Sequence, residues 1–186
     1  MRYKNSVTTL LFVVLSACQS QRSNMDHPPA VAVQESSLAA EVANLSQSGA
    51  TYFGGFPTAD GLRALKARGV TRVISLKSNA EVQAARGFDE AALAKELGLE
   101  LIVIPISVKS FSAADVTRFS EAYEGSTGPV LIHCGSSNTV GGVWAAYLAR
   151  VKGVSEEAAI EQGRAAGLRS PEMQRAAEEV IAAPAK

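Results

Sequence analysis

Two short runs, Leu99 to Ile106 and Val130 to His133, are apolar almost throughout, a third, Val70 to Leu76, is apolar at four of its seven positions, and amphipathic stretches separate them. A strand that is apolar on both sides needs cover on both faces, as the strands of a parallel sheet have. Thr51 to Gly54 adds a shorter strand candidate. The segments between read as helices. Thr58 is placed to cap a helix that carries Leu62 and Leu65 and is closed by Gly69. A loop is expected through Ser78-Asn79, after which Phe88 to Leu97 has helical spacing and stops at Gly98. Asp89 and Glu90, at the start of that helix, read as N-terminal charges. Ser112 to Asp115 has the form of a capping box ahead of Val116, Phe119 and Tyr123, which share one face. Further helices are expected from about Gly141 to Val151, near 155–166, and over 171–182, the last opened by Ser170-Pro171. Trp144, Tyr147 and Leu148 are read as core. Strands alternating with helices predict an α/β domain with a mostly parallel sheet and helices on both faces.

The amino terminus obeys a different rule. Arg2 and Lys4 precede an apolar or small-residue run, Val7 to Ala17, too short to span a bilayer. It ends in Leu15-Ser16-Ala17-Cys18, which resembles a bacterial lipobox. The expectation is a signal peptide over 1–17, lipid attachment at Cys18, and anchorage by more than one acyl chain. Gln19, not Asp, follows the cysteine, and by resemblance to Gram-negative sorting patterns that favours the outer membrane and its periplasmic face. Residues 18–48 are expected as lipid anchor and tether, polar with a Pro pair over 19–36 and with a weak helix signal from Ser37 to Leu45. The α/β domain is then expected over 49–186.

Of 18 Lys+Arg, the loss of Arg2 and Lys4 leaves 16 against 18 Asp+Glu. With no basic block in the chain, nucleic acid is not an expected partner. His27 lies in the tether, no metal-ligand cluster stands out, and no cofactor is expected. With Cys18 lipidated, Cys134 is left alone, in a compartment that usually pairs its thiols. A buried inert cysteine is one reading. Its neighbours favour another.

From Val130 the chain runs from apolar strand through His133-Cys134-Gly135-Ser136-Ser137-Asn138-Thr139-Val140 into a helix with Gly141-Gly142. Small residues let backbone N–H groups converge on an anion, and the following helix adds the positive end of its dipole. A thiol at the mouth of such a loop is favoured as thiolate and becomes a nucleophile without a neighbouring base. His133, at the end of a buried strand, is expected to orient the loop. Sheets of this kind bind ligands beyond the carboxyl ends of their strands, an edge that also receives Lys77 and the segment Ser107 to Ser110 with Lys109.

The His-Cys pair followed by a short loop and a helix resembles the cysteine phosphatases of the tyrosine and dual-specificity type. The chain is most similar to the beta-lactamase-hydrolase-like, phosphatase-like family at Gly54-Gly55-Phe56-Pro57-Thr58, Val73-Ile74-Ser75-Leu76-Lys77, Pro105-Ile106, His133-Cys134 and Asn138-Thr139-Val140-Gly141 with Trp144. The resemblance implies a catalytic Cys134, an anion cradle over Gly135, Ser136, Ser137, Asn138, Thr139 and Val140, and an anionic or phosphorylated substrate. Two positions depart from it. The family usually has Gly at Ser137 and Arg at Thr139, and a threonine hydroxyl cannot reproduce the arginine's two charge-assisted bonds to phosphate. A catalytic arginine on phosphate is worth roughly 10³–10⁵ in rate, so the expected hydrolysis is weak. Asp115 is the nearest candidate for the general acid, although its capping box already accounts for it. Lys77 or Lys109 could supply a replacement cation. The segment Cys134 to Thr139 also resembles a six-residue rhodanese-type loop, which implies sulfur transfer through a Cys134 persulfide as an alternative. A non-catalytic anion-binding or scaffold domain is a third.

Overall fold

The computed structural model describes residues 34–35 and 40–184; the expected signal segment, Cys18 and most of the tether lie outside these residues. Among the described residues, six strands form one sheet: β1 (Gln34–Glu35), β2 (Ser46–Ser48), β3 (Thr51–Gly54), β4 (Arg72–Ser75), β5 (Glu100–Val103) and β6 (Val130–His133). Their order is β1-β2-β3-β6-β4-β5. β3, β6, β4 and β5 run parallel, and β1 and β2 extend the β3 side antiparallel. The last strand in sequence therefore occupies the middle of the parallel part, between β3 and β4.

The register explains the apolar runs. Phe53, Ile132 and Ile74 stand in one row across β3, β6 and β4, and Tyr52, Leu131 and Val73 stand in the next. Successive strand residues point to opposite faces. The first row joins a core with Val116 and Phe119 of α4 (Ala113–Glu124) and Val143, Trp144 and Tyr147 of α5 (Asn138–Arg150). The second row joins Leu62 and Leu65 of α1 (Ala59–Ala67) and Leu93 of α3 (Glu90–Leu97). Both faces are covered, as the sequence pattern required. Two further helices, α6 (Glu156–Ala165) and α7 (Pro171–Ala182), pack outside α5 through Ala145, Ile160, Met173 and Ala177. Among the described residues no helix is long and apolar enough to cross a membrane.

Four expectations need correction. The tether does not run to residue 48: Val42 and Leu45 are fully or nearly buried, Val42 bridges Pro57, and β2 pairs with β3. Two apolar side chains among polar ones were too few to mark that edge. No helix forms over residues 40–45, which make turns and a bridge. The loop expected at Ser78-Asn79 is instead the start of α2 (Asn79–Arg86), with Ser78 and Glu81 in a reciprocal capping box. Val82 is the one buried residue of that helix, so it offers almost no apolar period. Finally, β5 ends at Val103 on the sheet edge, and the rest of its apolar run, Ile104 and Ile106, is buried in the following loop.

Candidate active site

Because β6 is central, its end delivers His133 and Cys134 to the middle of the carboxyl edge of the sheet. The Cys134 amide donates to Gly54 O of β3 at 3.2 Å, and Leu76 N beyond β4 donates to His133 O at 2.8 Å. Both neighbouring strands thus hold the start of the loop. Four residues, Cys134 to Ser137, then turn the chain into α5, which begins at Asn138, earlier than the sequence suggested. Gly141 N is bonded to Ser137 O at 2.9 Å. The amides of Asn138, Thr139 and Val140 precede it and are, by position, the helix's free N-terminal donors. With the dipole of a thirteen-residue helix behind them, they suit an anion. The Cys134 side chain is a free thiol, 2 % exposed, at the base of this turn.

Ser137 has φ 68°, the left-handed conformation that glycine adopts at no cost. Its hydroxyl is turned away from the cradle and donates to Ala166 O at 2.8 Å in the turn between α6 and α7. Asn138 is turned the same way. Its Oδ1 accepts from Arg169 N and Ser170 N, both at 2.9 Å, and its Nδ2 donates to Ser170 Oγ at 3.0 Å. The expected anion-binding set therefore divides. The side chains of Ser137 and Asn138 fasten the loop to the α6–α7 turn, Val140 is buried in the core, and Gly135, Ser136 and Thr139 remain on the chain path between Cys134 and the helix. Close packing supports that junction: a Cβ on Gly141 would lie 2.2 Å from Leu168 N. On the other side, Asn44 Nδ2 donates to Ser136 O at 3.2 Å, and Phe56 N donates to Gly135 O at 3.4 Å. A Cβ on Gly55 would stand 2.8 Å from Gly135 O, so this approach requires glycine.

Beneath the loop lies a residue whose role the sequence did not disclose. His133 Nε2 is 2.8 Å from Glu90 Oε1, and both side chains are at most 1 % exposed. The approach is off the line of a well-formed hydrogen bond, and His133 Nδ1 and Glu90 Oε2 have no partner among the described residues. Glu90 is the first residue of α3, and Asp89 before it is the N-cap that accepts from Ala92 N. Both acidic residues stand at the helix start as expected, but the Glu90 side chain is buried rather than solvated. Charge at a helix start reads as solvated in a sequence; only the tertiary fold, which sets Glu90 beside His133 of β6, shows it turned inward.

Of the remaining candidates, Asp115 and Lys77 are occupied. Asp115 Oδ2 accepts from Ser112 N at 2.9 Å and Ser112 Oγ at 2.7 Å, and Oδ1 is paired with Arg118. The capping box explains this carboxylate, and neither oxygen is free to carry a proton to a leaving group. Lys77 Nζ pairs with Glu81 Oε1 at 2.9 Å. The Ser78 amide, followed by Lys77, holds the Glu81 carboxyl below the ordinary range. Lys109 is exposed on a 3-10 turn, Val108–Ser110. A further basic group does reach the loop. The Arg169 guanidinium donates through Nη2 to Ser136 O and through Nη1 to Gly167 O, the latter at 3.2 Å. A pocket of about 530 Å³, lined by Thr51, Tyr123, Trp144 and Tyr147, opens elsewhere, at the amino ends of β3 and β6.

A parallel sheet whose central strand ends in His-Cys, with a short loop leading into a helix, defines a cysteine-phosphatase type of fold. The family described as "DSP-PTPase phosphatase fused to NAD+ kinase" matches residues 23–180, and the chain belongs to it. Solved structures agree on the fold. TpbA of P. aeruginosa, in complex with pTyr, is 22% identical with a TM-score of 0.62, covering 84% of this chain and 91% of that one. Tk-PTP is 22% identical (TM-score 0.57; 72% and 92% covered). PTPMT1 in complex with PI(5)P is 20% identical (TM-score 0.57; 70% and 89% covered). No curated protein matches the chain.

Proposed function

We propose that the domain hydrolyses a phosphorylated substrate through a covalent intermediate on Cys134, and that it does so slowly. The observation that carries this reading is the placement of Cys134 at the end of the central strand, directly ahead of the α5 amino terminus. In the first step, Cys134 Sγ attacks phosphorus and the bond to the leaving oxygen breaks. Water then attacks the thiophosphate, the S–P bond breaks, and inorganic phosphate leaves with the thiolate restored. The amides at the start of α5 would hold the non-bridging oxygens. Thr139, at the position where the beta-lactamase-hydrolase-like, phosphatase-like family that the loop resembles usually has arginine, contributes at most one neutral bond, and this is the reason for the expected slowness. His133, locked over Glu90, would fix the loop without transferring a proton. With Asp115 engaged by Ser112 and Arg118, the candidate acid is not free, so substrates with good leaving groups, such as aryl phosphates, would be favoured. The binding of pTyr by TpbA and of PI(5)P by PTPMT1 supports a phosphorylated anion as ligand.

Sulfur transfer rests on the six-residue loop alone, whereas family and fold neighbours along most of the chain are phosphatases. The same proposal includes the export signal over 1–17 and a lipid on Cys18. The mature domain would then stand on the periplasmic face of a bacterial membrane, the outer membrane by the rule read at Gln19. The test is release of p-nitrophenol from p-nitrophenyl phosphate by purified protein beside Cys134→Ser. Turnover that vanishes in the variant supports the reading, and equal turnover in both contradicts it.

A further inference from the structure

A phosphate cradle without its arginine lacks the one fixed positive charge that such a site depends on. Backbone amides and a dipole give direction, but a dianion also needs a full countercharge to leave water. Most cations near the carboxyl edge are already engaged. Lys77 is tied to Glu81, Arg118 to Asp115, and Arg86 reaches Phe56 O at 2.7 Å. Arg169 differs from these. Its backbone amide is held by Asn138, the residue next to Thr139, and its guanidinium lies on the carbonyl of Ser136 within the loop itself.

We propose that Arg169, supplied from the turn between α6 and α7, is the anion-binding guanidinium of this site and supplies, from outside the loop and in part only, the charge that Thr139 does not carry. The proposal rests on the phosphatase reading above. Three features carry it. First, the anchoring is redundant: Ser137 to Ala166, Asn138 to Ser170, and Asn138 to Arg169 N lock the turn to the loop, so the arginine starts from a fixed point. Second, a guanidinium has five N–H donors, and the bonds to Ser136 O and Gly167 O leave three for a ligand. Third, the side chain is exposed, so exchanging a neutral carbonyl for a dianion disturbs no packing. The Ser137 and Asn138 side chains then have a purpose. They do not touch the anion but hold the segment that brings its partner, which makes them positioning residues.

Binding of tungstate, a tetrahedral oxyanion that needs no turnover, separates the possibilities by calorimetry. Arg169→Ala should raise the dissociation constant about 10- to 100-fold, the worth of a charge-assisted contact. Arg169→Lys should fall between, because an ammonium keeps the charge and loses the fork. Adding Thr139→Arg to Arg169→Ala should restore affinity, a rescue that a merely structural arginine would not show. If the parent binds tungstate and Arg169→Ala binds it equally well, the assignment of Arg169 is overturned and the phosphatase reading stands. If the parent does not bind tungstate at all, both are overturned. Asn138→Ala supplies a variant that leaves the guanidinium in place: weakened binding there supports anchoring through the turn, and unchanged binding contradicts it.

Discussion

Replacing Glu90 with alanine removes one half of a pair in which both members are at most 1 % exposed. His133 Nε2 would lose the carboxylate oxygen 2.8 Å away, and neither of its ring nitrogens has another partner among the described residues. Leaving one member of a buried polar pair unsatisfied away from water costs about 1–3 kcal/mol, and about 3–5 kcal/mol where the pair is ionised. For a domain of this size, that corresponds to a fall in melting temperature on the order of 10 °C. Glu90→Gln keeps the volume and a polar atom facing the ring, and should cost about 1–2 kcal/mol. Lys152 and Glu124 serve as a control. They also lie 2.8 Å apart, but their side chains are 48% and 44% exposed, and Lys152→Ala should cost under about 1 kcal/mol. The assay is chemical denaturation followed by circular dichroism on all three variants. A Glu90→Ala protein within about 1 kcal/mol of the parent, or indistinguishable from Lys152→Ala, would refute the argument that burial gives this pair its weight.

Three further outcomes follow from the same geometry. Ser137→Gly should leave stability within about 1 kcal/mol, since relief of the left-handed conformation offsets the lost bond to Ala166 O; a loss beyond about 2 kcal/mol in a denaturant melt would contradict that balance. Gly141→Ala should cost about 1–3 kcal/mol or more in the same melt, because the new methyl meets the Leu168 backbone, which has no rotamer by which to retreat. Glu81, Asp89 and Glu124 are all held below their ordinary carboxyl values, Glu81 and Asp89 chiefly by backbone amides and Glu124 chiefly by Lys152. Their small contributions are therefore fully present above the ordinary carboxylate range and are lost as pH falls through and below about 4, so the melting temperature should decline there and stay flat between pH 6 and 8.

How much could be read in advance depended on whether a residue's role was local. Val130 to His133 forms β6 as expected because four consecutive apolar or strand-end residues carry their own instruction. Ser112 with Asp115, and Ser170 with Pro171, cap helices by chemistry that spans three residues or fewer. The loop from Cys134 was legible for the same reason. Glu90 and Arg169 were not, since each looks like an ordinary surface charge along the chain. Glu90 meets His133 across 43 residues, and Arg169 meets Ser136 across 33, distances over which no periodicity survives. The sheet order, with β6 inserted between β3 and β4, is what brings the first pair together. Ser137 was visible as a departure, but not that its hydroxyl would satisfy a carbonyl 29 positions away.

The central claim is that Cys134 forms the covalent bond to phosphorus, and it can be examined directly. Protein turning over p-nitrophenyl phosphate is quenched in acid, digested and mapped by mass spectrometry. The account predicts one phosphoryl group on the peptide that contains Cys134, present during turnover and absent in Cys134→Ser. Continued hydrolysis with that peptide unmodified, or a phosphoryl group carried on another residue, would contradict it.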